Sequence, residues 1–392
     1  MKKILFLTNR NILTTSGEMR LVKNRAESLY NDYNVASDFI VVQKKERVFS
    51  KQREYINAGG NLYSIELSIK NLFILIIKIV KKIHEVTKEN DYDAVVFSGV
   101  GMLFFSCFFS RKMKLFCDVH GASEDALEMA NKQVVRKKIF FRFIYYLDVL
   151  CMKFFSHRMD GFFVVTDALK EYLRKKYSMK KNVDFMIVPC ATQKEESLFE
   201  NYEKYRAIYR KKYGIDQDEI VFVYSGGVST WQCIPQTIAL YEKIEKTLNQ
   251  KTKLLIFSHR KDYFEKFANT NKSIIIDSYG PDELSKALFV GDFAFMLREN
   301  CITNNVAFPN KFLEYVQSRM KIITTPYVFE VSKQIEEYKL GFIYDFSDDV
   351  QKVASYISNH KVNEINVVLD VLKKNSFQNR LMEINKVLEK ND

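Results

Sequence analysis

A lysine stands at the start of a predicted helix in the segment NNVAFPNKFLEYVQS, residues 304–318. Pro309 suits the first helical turn, because the N–H group that proline lacks has no intrahelical partner there. Lys311 is unusual at this point, since the positive end of the helix dipole disfavours a cation unless an anion lies nearby. Glu314 follows on the same face. The pair is either a surface ion pair or a site in which the lysine binds phosphate and the carboxylate accepts hydrogen bonds from two sugar hydroxyls.

A glycine pair and a polar loop follow two other predicted strands. Gly226 and Gly227 come after the apolar run IVFVYS and before a predicted helix. Two glycines let the backbone approach a pyrophosphate closely, although a tight turn alone would also explain them. Arg298 and Glu299 follow the run DFAFML, and a polar loop containing Asn305 leads from there to the lysine-bearing helix. These groups stand where an α/β sheet binds its ligand.

The first half of the chain carries an aspartate and a histidine in CDVHGAS. Asp118 and His120 end a predicted buried strand, where a histidine can give a proton to, or take one from, a substrate hydroxyl near neutral pH. A single histidine is more often structural, so both interpretations stay open. The first loop, NRNILTTSGEMR, supplies Arg10 and Gly17 before a helix and fits binding of an anion or an acceptor.

Short apolar runs alternate with longer amphipathic stretches along most of the chain. This alternation predicts an α/β protein with two Rossmann-like, doubly wound domains that face each other across a cleft. The expected parts are an N-terminal acceptor domain at 1–192, a C-terminal donor domain at 193–370 and a closing C-terminal helix at 371–392. The loops described above would line that cleft, because ligands bind beyond the carboxyl ends of the strands.

The composition of the 392 residues, with 47% hydrophobic and 28% charged, is typical of a globular protein that works in water. Six cysteines are scattered without the spacing of a zinc site or a disulfide framework, which favours a reducing compartment. The start, MKKILFLTNR, has too short an apolar run for a signal peptide. The run NLFILIIKIV is too short for a membrane span. A cytoplasmic location is therefore expected.

Basic residues are concentrated in the stretch 132–158, which has seven Lys or Arg and one acid within a chain of net charge +12. Helical spacing puts six apolar residues on one stripe: Phe140, Phe143, Ile144, Leu147, Cys151 and Phe154. The stripe either packs on the core and leaves a solvated basic side, or contacts anionic lipid head groups. No nucleic-acid-binding motif accompanies it, so nucleic acid is not expected as a partner.

The order of these features resembles that of the GT-B glycosyltransferases, and in particular the family-4 group of retaining enzymes. The resemblance covers nearly the whole chain. It rests on DVHG, then YRAIYRKKYGI before VFVYSGG, then YGPDELSKAL, then LREN, and NVAFPNKFLEY before IITT. The segment 297–325 is its most specific part, because it looks like the donor-site signature of that group.

The resemblance implies a role for each matching residue. Glu314 corresponds to the acid that binds the nucleotide ribose, and Lys311 lies close to the diphosphate. The glycine pair lies beneath the phosphates, and Tyr279 belongs to the loop around the base. His120 corresponds to the histidine near the reacting sugar.

One departure from the family pattern concerns the donor sugar. The family carries an acid eight residues before the position of Glu314, and here that residue is Val306. Glu299 is the alternative acid. A second departure concerns the phosphates: the family often has Arg and Lys after the glycine turn, and here the segment 229–232 reads STWQ. Binding of the donor phosphates would then depend on Lys311, Arg298 and helix N–H groups.

The sequence therefore predicts a retaining, metal-independent glycosyltransferase without a cofactor. It would move a sugar from a nucleoside diphosphate, with a UDP-sugar favoured, to a glycan or lipid-linked acceptor at the inner face of the plasma membrane, in bacterial surface polysaccharide synthesis. Two alternatives remain: a nucleotide-sugar epimerase on the same fold, and a non-catalytic GT-B partner protein. A nicotinamide oxidoreductase is disfavoured, because no G-x-G-x-x-G follows the first strand of either half.

Overall fold

The computed structural model describes residues 1–9, 17–43, 58–66, 71–110, 112–131, 135–180, 183–189, 199–359, 362–377, 380–382 and 384. The chain divides into two compact units, Met1–Cys190 with Phe377–Asp392, and Ala191–Ser376. The division falls two residues before the boundary expected between 192 and 193. The end of the chain from Phe377 belongs to the first unit.

The first unit contains a seven-stranded parallel sheet in the order β3-β2-β1-β4-β5-β6-β7. Its strands are β1 (Lys2–Thr8), β2 (Val35–Gln43), β3 (Leu62–Glu66), β4 (Ala94–Ser98), β5 (Lys114–Val119), β6 (Gly161–Val164) and β7 (Asp184–Ile187). Phe6 of β1 lies opposite Phe39 on one side and Val96 on the other. β2 and β4 are buried throughout, which explains the apolar runs FIVV in β2 and AVVF in β4, although β2 also buries Ser37 and Asp38.

Within the described residues, five α-helices lie between these strands: α1 (Gly17–Tyr33), α2 (Leu72–Glu89), α3 (Glu124–Asn131), α4 (Val135–Phe155) and α5 (Asp167–Tyr177). A 3₁₀ helix at Val100–Phe108 packs against both α2 and α4. The strand order reverses between β1 and β4. The carboxyl ends of these two strands therefore flank the position where such sheets bind ligands.

The stripe predicted on α4 is divided between two environments. Phe140, Phe143, Leu147 and Phe154 are between 44% and 63% exposed, whereas Cys151 is 5% exposed. The interpretation as a core-facing stripe is therefore wrong for the four large residues. The core-facing side of α4 instead includes Met152, next to Cys151.

The second unit contains a six-stranded parallel sheet in the order β10-β9-β8-β11-β12-β13. Its strands are β8 (Ile220–Ser225), β9 (Thr252–Phe257), β10 (Ile274–Asp277), β11 (Phe293–Met296), β12 (Lys321–Thr324) and β13 (Gly341–Ile343). Phe293 lies opposite Phe222 on one side and Lys321 on the other. The order reverses between β8 and β11, so the loops after these strands define the expected site of the second unit.

Nine α-helices are described in this unit: α6 (Tyr202–Lys212), α7 (Ile234–Thr247), α8 (Lys261–Thr270), α9 (Pro281–Ala287), α10 (Ile302–Asn305), α11 (Asn310–Gln317), α12 (Phe329–Tyr338), α13 (Val350–Asn359) and α14 (Ile365–Lys374). Buried side chains of β8, β9, β11 and α7 form one apolar core cluster, which includes Phe222, Tyr241 and Phe295. This core holds the carboxyl ends of the strands, and thus the functional loops, in fixed positions.

The C-terminal segment differs from the single helix expected at 371–392. Helix α14 begins at Ile365 and ends at Lys374. The buried side chain of Asn375 donates hydrogen bonds to the carbonyl of Val371 and to Gln334 Oε1, both at 2.9 Å. An asparagine that satisfies backbone groups in this way favours the end of a helix. In the described part of the chain, no helix is long and apolar enough to span a membrane.

Candidate functional site

The turn after β8 brings a glycine against a lysine. Gly226 has a φ of 132°, which favours glycine, and its N–H donates to the carbonyl of Phe257 at the end of β9 (2.9 Å). A Cβ atom added to Gly226 would overlap Nζ of Lys311. The ammonium group of α11 therefore lies directly on the backbone of this turn.

Helix α11 is attached to the same strand by a side chain that the sequence did not single out. The hydroxyl of Tyr315 accepts a hydrogen bond from the N–H of Ser225 (2.8 Å). Tyr315 is fully buried one turn after Lys311. This hydrogen bond fixes the distance between the glycine turn and the start of α11.

Lys311 has uncharged partners. Its Nζ donates to Gln232 Oε1 (3.0 Å) and to the hydroxyl of Tyr224 (3.5 Å), and it lies 4.7 Å from the centroid of the Tyr224 ring. Among the described residues no carboxylate forms an ion pair with it, so the alternative of a surface ion pair with Glu314 does not hold. Burial lowers the pKa of Lys311 well below its usual value, the charge of Arg298 lowers it further, and Glu314 opposes the shift.

Arg298 is a second cation in this region and is more deeply buried than Lys311. It is 4% exposed, and its Nη1 donates to the carbonyl of Leu297 (2.9 Å). Its backbone is joined to Thr325 at the end of β12 by two hydrogen bonds of 3.0 and 2.7 Å. Burial lowers the pKa of Arg298. No carboxylate of the described residues pairs with it. Two desolvated cations without an anion are costly, so a bound anion would stabilise this region.

A pocket of about 140 Å³ opens at the carboxyl ends of β8, β9 and β10. Its lining includes the glycine pair, Phe257, His259, Ser278, Tyr279 and Leu284. Because Gly226 both lines this pocket and contacts Lys311, the lysine lies at the edge of the pocket. A ligand could place an apolar ring in the pocket and an anionic group on the glycine turn.

Tyr279, expected in the loop around the base, forms one wall of the pocket. Its hydroxyl is 2.5 Å from that of Tyr213 and is also hydrogen-bonded to Lys212. Tyr213 donates in turn to Asp277 Oδ2 (2.9 Å), and Lys212 forms an ion pair with the same oxygen (3.1 Å). These contacts orient the Tyr279 ring before any ligand binds.

The remaining predicted donor residues lie around α10 and α11. Glu314 is half-buried on α11, on the helix that carries the lysine. Glu299 is half-buried, and its carbonyl accepts from Asn304 Nδ2 (2.8 Å). Asn305 has its side-chain amide 3.1 Å from that of Asn300. Val306 is 4% exposed and packs in the interior.

The first unit contains a separate polar cluster at the end of β5. Asp118 is 1% exposed, and Oδ2 lies 2.8 Å from Nε2 of His120. Its other oxygen, Oδ1, accepts from Nη1 of Arg25 on α1 (2.5 Å). Burial raises the pKa of Asp118, but Arg25 and His120 together bring it down to about 2. The structure brings the predicted pair together and adds a buried arginine.

The predicted acceptor residues of the first loop are described only in part. Arg10 lies outside the described residues. Gly17 is the first residue of α1. Sequence reasoning missed Arg25, Tyr224, Gln232 and Thr325. Tyr224 and Gln232 lie on either side of the glycine pair in the sequence, and this proximity could have identified them. No sequence feature near Arg25 or Thr325 indicated a role for either residue.

Comparisons of the sequence alone find no relative. No protein-family model matches the chain, and no curated protein sequence matches it. Among the described residues, no group of three or more His, Cys, Asp or Glu side chains could hold a metal ion.

Comparison of the structure finds glycosyltransferases. A glycosyltransferase from Rickettsia africae ESF-5 matches with a TM-score of 0.67 and 13% identity, covering 100% of this chain and 99% of that chain. The lipopolysaccharide outer core galactosyltransferase WaaB, in its apo form, matches with a TM-score of 0.64 and 10% identity, covering 99% of both chains. WaaG, a glycosyltransferase involved in lipopolysaccharide biosynthesis, matches with a TM-score of 0.61 and 11% identity, covering 98% and 95%.

These likenesses define the fold class. The chain has the fold of the GT-B glycosyltransferases, with two doubly wound parallel sheets in one chain. The prediction of this fold from the sequence is thus confirmed.

Proposed function

We propose that the protein is a glycosyltransferase that takes a sugar from a nucleoside diphosphate. The observation that carries this proposal is a pair of neighbouring cations, the partly buried Lys311 and the buried Arg298, beside a pocket whose wall includes Gly226, the residue that Lys311 contacts. A sugar nucleotide has the matching chemistry, with a flat base at one end and a doubly charged pyrophosphate in the middle. The glycosyltransferase structures of the same fold support this class of reaction.

The base would stack in the pocket against Tyr279, and the ribose hydroxyls would donate to the carboxylate of Glu314. We favour a UDP-sugar as the donor. The pyrophosphate would lie on the glycine turn, in contact with Lys311. Arg298 would add a fixed positive charge close to Lys311.

Departure of the nucleoside diphosphate concentrates negative charge on its outer phosphate. Cations that are already in place stabilise this charge without reorganisation, and they act most strongly where water is excluded. Lys311 and Arg298 meet both conditions, and we propose that transfer needs no metal ion for this reason. Glu299 takes the place of the acid that the family carries at Val306, and His120 acts on the acceptor side. Retention at the anomeric carbon is part of the same proposal.

A nucleotide-binding experiment tests this function directly. We expect UDP and UDP-sugars to raise the melting temperature more than GDP or CMP, because a UDP-sugar is the proposed donor and CMP has no pyrophosphate to place on the glycine turn. At a ligand concentration of about 100 times Kd the stabilisation is about 2.7 kcal/mol. Slow release of free sugar from the preferred UDP-sugar should accompany the shift. Inorganic pyrophosphate, the control ligand, should stabilise less because it leaves the base pocket empty.

The same experiment separates the alternatives. An epimerase would convert the nucleotide sugar to its epimer without releasing sugar. A non-catalytic partner protein, the alternative favoured by Val306 in place of an acid, would hydrolyse no donor. Absence of any nucleotide-dependent shift would contradict the proposed donor site itself.

We also propose that the first unit binds an anionic membrane surface through residues 132–158. The outward side of α4 carries seven exposed apolar residues, here called the apolar face of α4: Ile139, Phe140, Phe143, Tyr146, Leu147, Leu150 and Phe154. They recur at helical spacing, and the exposed cations Arg142 and Lys153 flank one edge. An apolar face bordered by cations matches the boundary between anionic head groups and acyl chains. A glycan built on a lipid carrier at the inner face of the plasma membrane is the acceptor that fits such binding.

A vesicle-binding experiment tests this second proposal. The protein should sediment with vesicles that contain phosphatidylglycerol at low salt, and much less with pure phosphatidylcholine or at high salt. Replacing Phe143 and Phe154 together by glutamate should abolish binding. Phe329→Glu, a change at a similarly exposed phenylalanine of the second unit, is the control and should leave binding intact. Self-association of the wild type in place of lipid binding would point to a protein partner and contradict the membrane assignment.

A further inference from the structure

The buried guanidinium of Arg25 has no role in the function proposed above. Arg25 lies on α1, is 2% exposed and makes hydrogen bonds to two other parts of the first unit. One goes from Nη1 to Asp118 Oδ1 at the end of β5, 2.5 Å away. The other goes from Nη2 to the carbonyl of Val188, which follows β7. The guanidinium thus joins α1, β5 and the chain after β7.

Asp118 lies between this guanidinium and His120. Its carboxylate is buried, with one oxygen on Arg25 and the other 2.8 Å from Nε2 of His120. A buried carboxylate with a charged partner on one oxygen keeps a fixed plane, because rotation would break a charge-assisted hydrogen bond. The plane of the carboxylate sets the direction in which the second oxygen meets the imidazole.

We propose that Arg25 is a positioning residue that holds Asp118 so that Asp118 orients the imidazole of His120. In neutral histidine only one ring nitrogen carries a proton. The contact with Asp118 places that proton on Nε2, which leaves the lone pair on Nδ1 for a substrate hydroxyl. His120 is 12% exposed, so its ring is largely buried and is held on one side by Asp118. The role of Nδ1 rests on the proposed function, whereas the orientation of the ring does not.

Two features distinguish this role from simple packing. The guanidinium donates to two different acceptors from two nitrogens in a rigid planar fork, whereas the donors of a lysine all lie on one nitrogen. The carboxylate of Asp118, which accepts from Arg25, also contacts the imidazole of His120 just after β5. A residue that only filled space would not affect the 2.8 Å contact between Asp118 Oδ2 and Nε2 of His120.

Proton NMR of the intact protein with ¹⁵N-labelled histidine tests the assignment without any substrate. The wild type should show an imidazole N–H resonance far downfield and protected from exchange with water. His120→Gln should lack it, which assigns the signal among the five histidines. Arg25→Gln and Asp118→Asn should both lose it or broaden it severely. Lys23→Gln, a change on the same helix, should keep it.

Far-UV circular dichroism accompanies each variant. If Arg25→Gln fails to fold, Arg25→Lys decides, because it keeps the charge but cannot reach both acceptors. An unchanged resonance in either folded Arg25 variant would overturn the assignment, and so would its absence from the wild type. In a transfer assay, folded Arg25→Lys should lose on the order of 10- to 100-fold in kcat with little change in the donor KM. A protein without transfer activity would contradict the proposed function but leave the NMR result standing.

Discussion

Lys311→Met should reduce sugar transfer by about 100- to 1,000-fold in kcat, the loss found when one preorganised donor is removed from a charged transition state. It should also weaken UDP binding by about 10-fold or more, because a hydrogen bond to a charged group contributes about 1.5–3 kcal/mol. The unliganded variant should melt at a higher temperature than the wild type, since the substitution removes a desolvated cation with no anionic partner. Kinetics with the preferred donor and a melting curve in the absence of ligand measure these effects.

The same lysine makes donor binding dependent on pH. Burial lowers its pKa in the empty site, and a bound pyrophosphate would raise it again by opposite charge. At a pH between the pKa of Lys311 in the empty site and its pKa with pyrophosphate bound, the lysine takes up a proton when UDP binds. UDP should therefore bind more weakly as the pH rises through that interval. Lys311→Met should remove this dependence. Lys333→Met, at an exposed lysine of α12, is the matched control and should behave like the wild type. Equal loss of UDP affinity in both variants would contradict the assignment of Lys311.

Gly226→Ala should abolish nucleotide-dependent stabilisation and cost about 1–3 kcal/mol of folding free energy. Alanine rarely adopts a φ of 132°, and its methyl group would occupy the space of the Lys311 ammonium. The lysine would have to leave the turn, or the turn would have to change its path. Either change separates the cation from the place of the pyrophosphate. Thermal melting with and without UDP measures both losses in one experiment.

Gly227→Ala is the natural control for that substitution. The neighbouring glycine has no atom within 4 Å of an added Cβ, and its φ lies outside the range that only glycine favours. It should keep the folding free energy of the wild type, because its methyl group meets no atom of the protein. If both alanine variants lose the same folding free energy, the contact between Gly226 and Lys311 is not the cause of the loss.

The sequence predicted those parts of the fold and the site that depend on local spacing. Alternation of apolar runs and amphipathic stretches gave the two parallel sheets. A glycine pair after a strand and a lysine after a proline indicated the two halves of the proposed phosphate site, because each signal lies within a few residues. The strands then place both at the same sheet edge by a general rule of α/β folds.

Contacts between distant parts of the chain were not predictable in this way. Arg25 and Asp118 are 93 residues apart, and nothing near either one indicates the other. The periodicity of α4 identified an apolar stripe, but periodicity does not tell whether a stripe faces the core or the solvent. The end of α14 depends on Asn375, whose partner Gln334 lies 41 residues earlier.

The shared space of Gly226 and Lys311 also has an evolutionary consequence. A residue with a side chain at position 226 is compatible only with a shorter side chain at position 311, or with a turn of different shape. In homologous sequences these two positions should therefore vary together. Sequences without a lysine at position 311 should be those in which residues other than glycine occur at position 226.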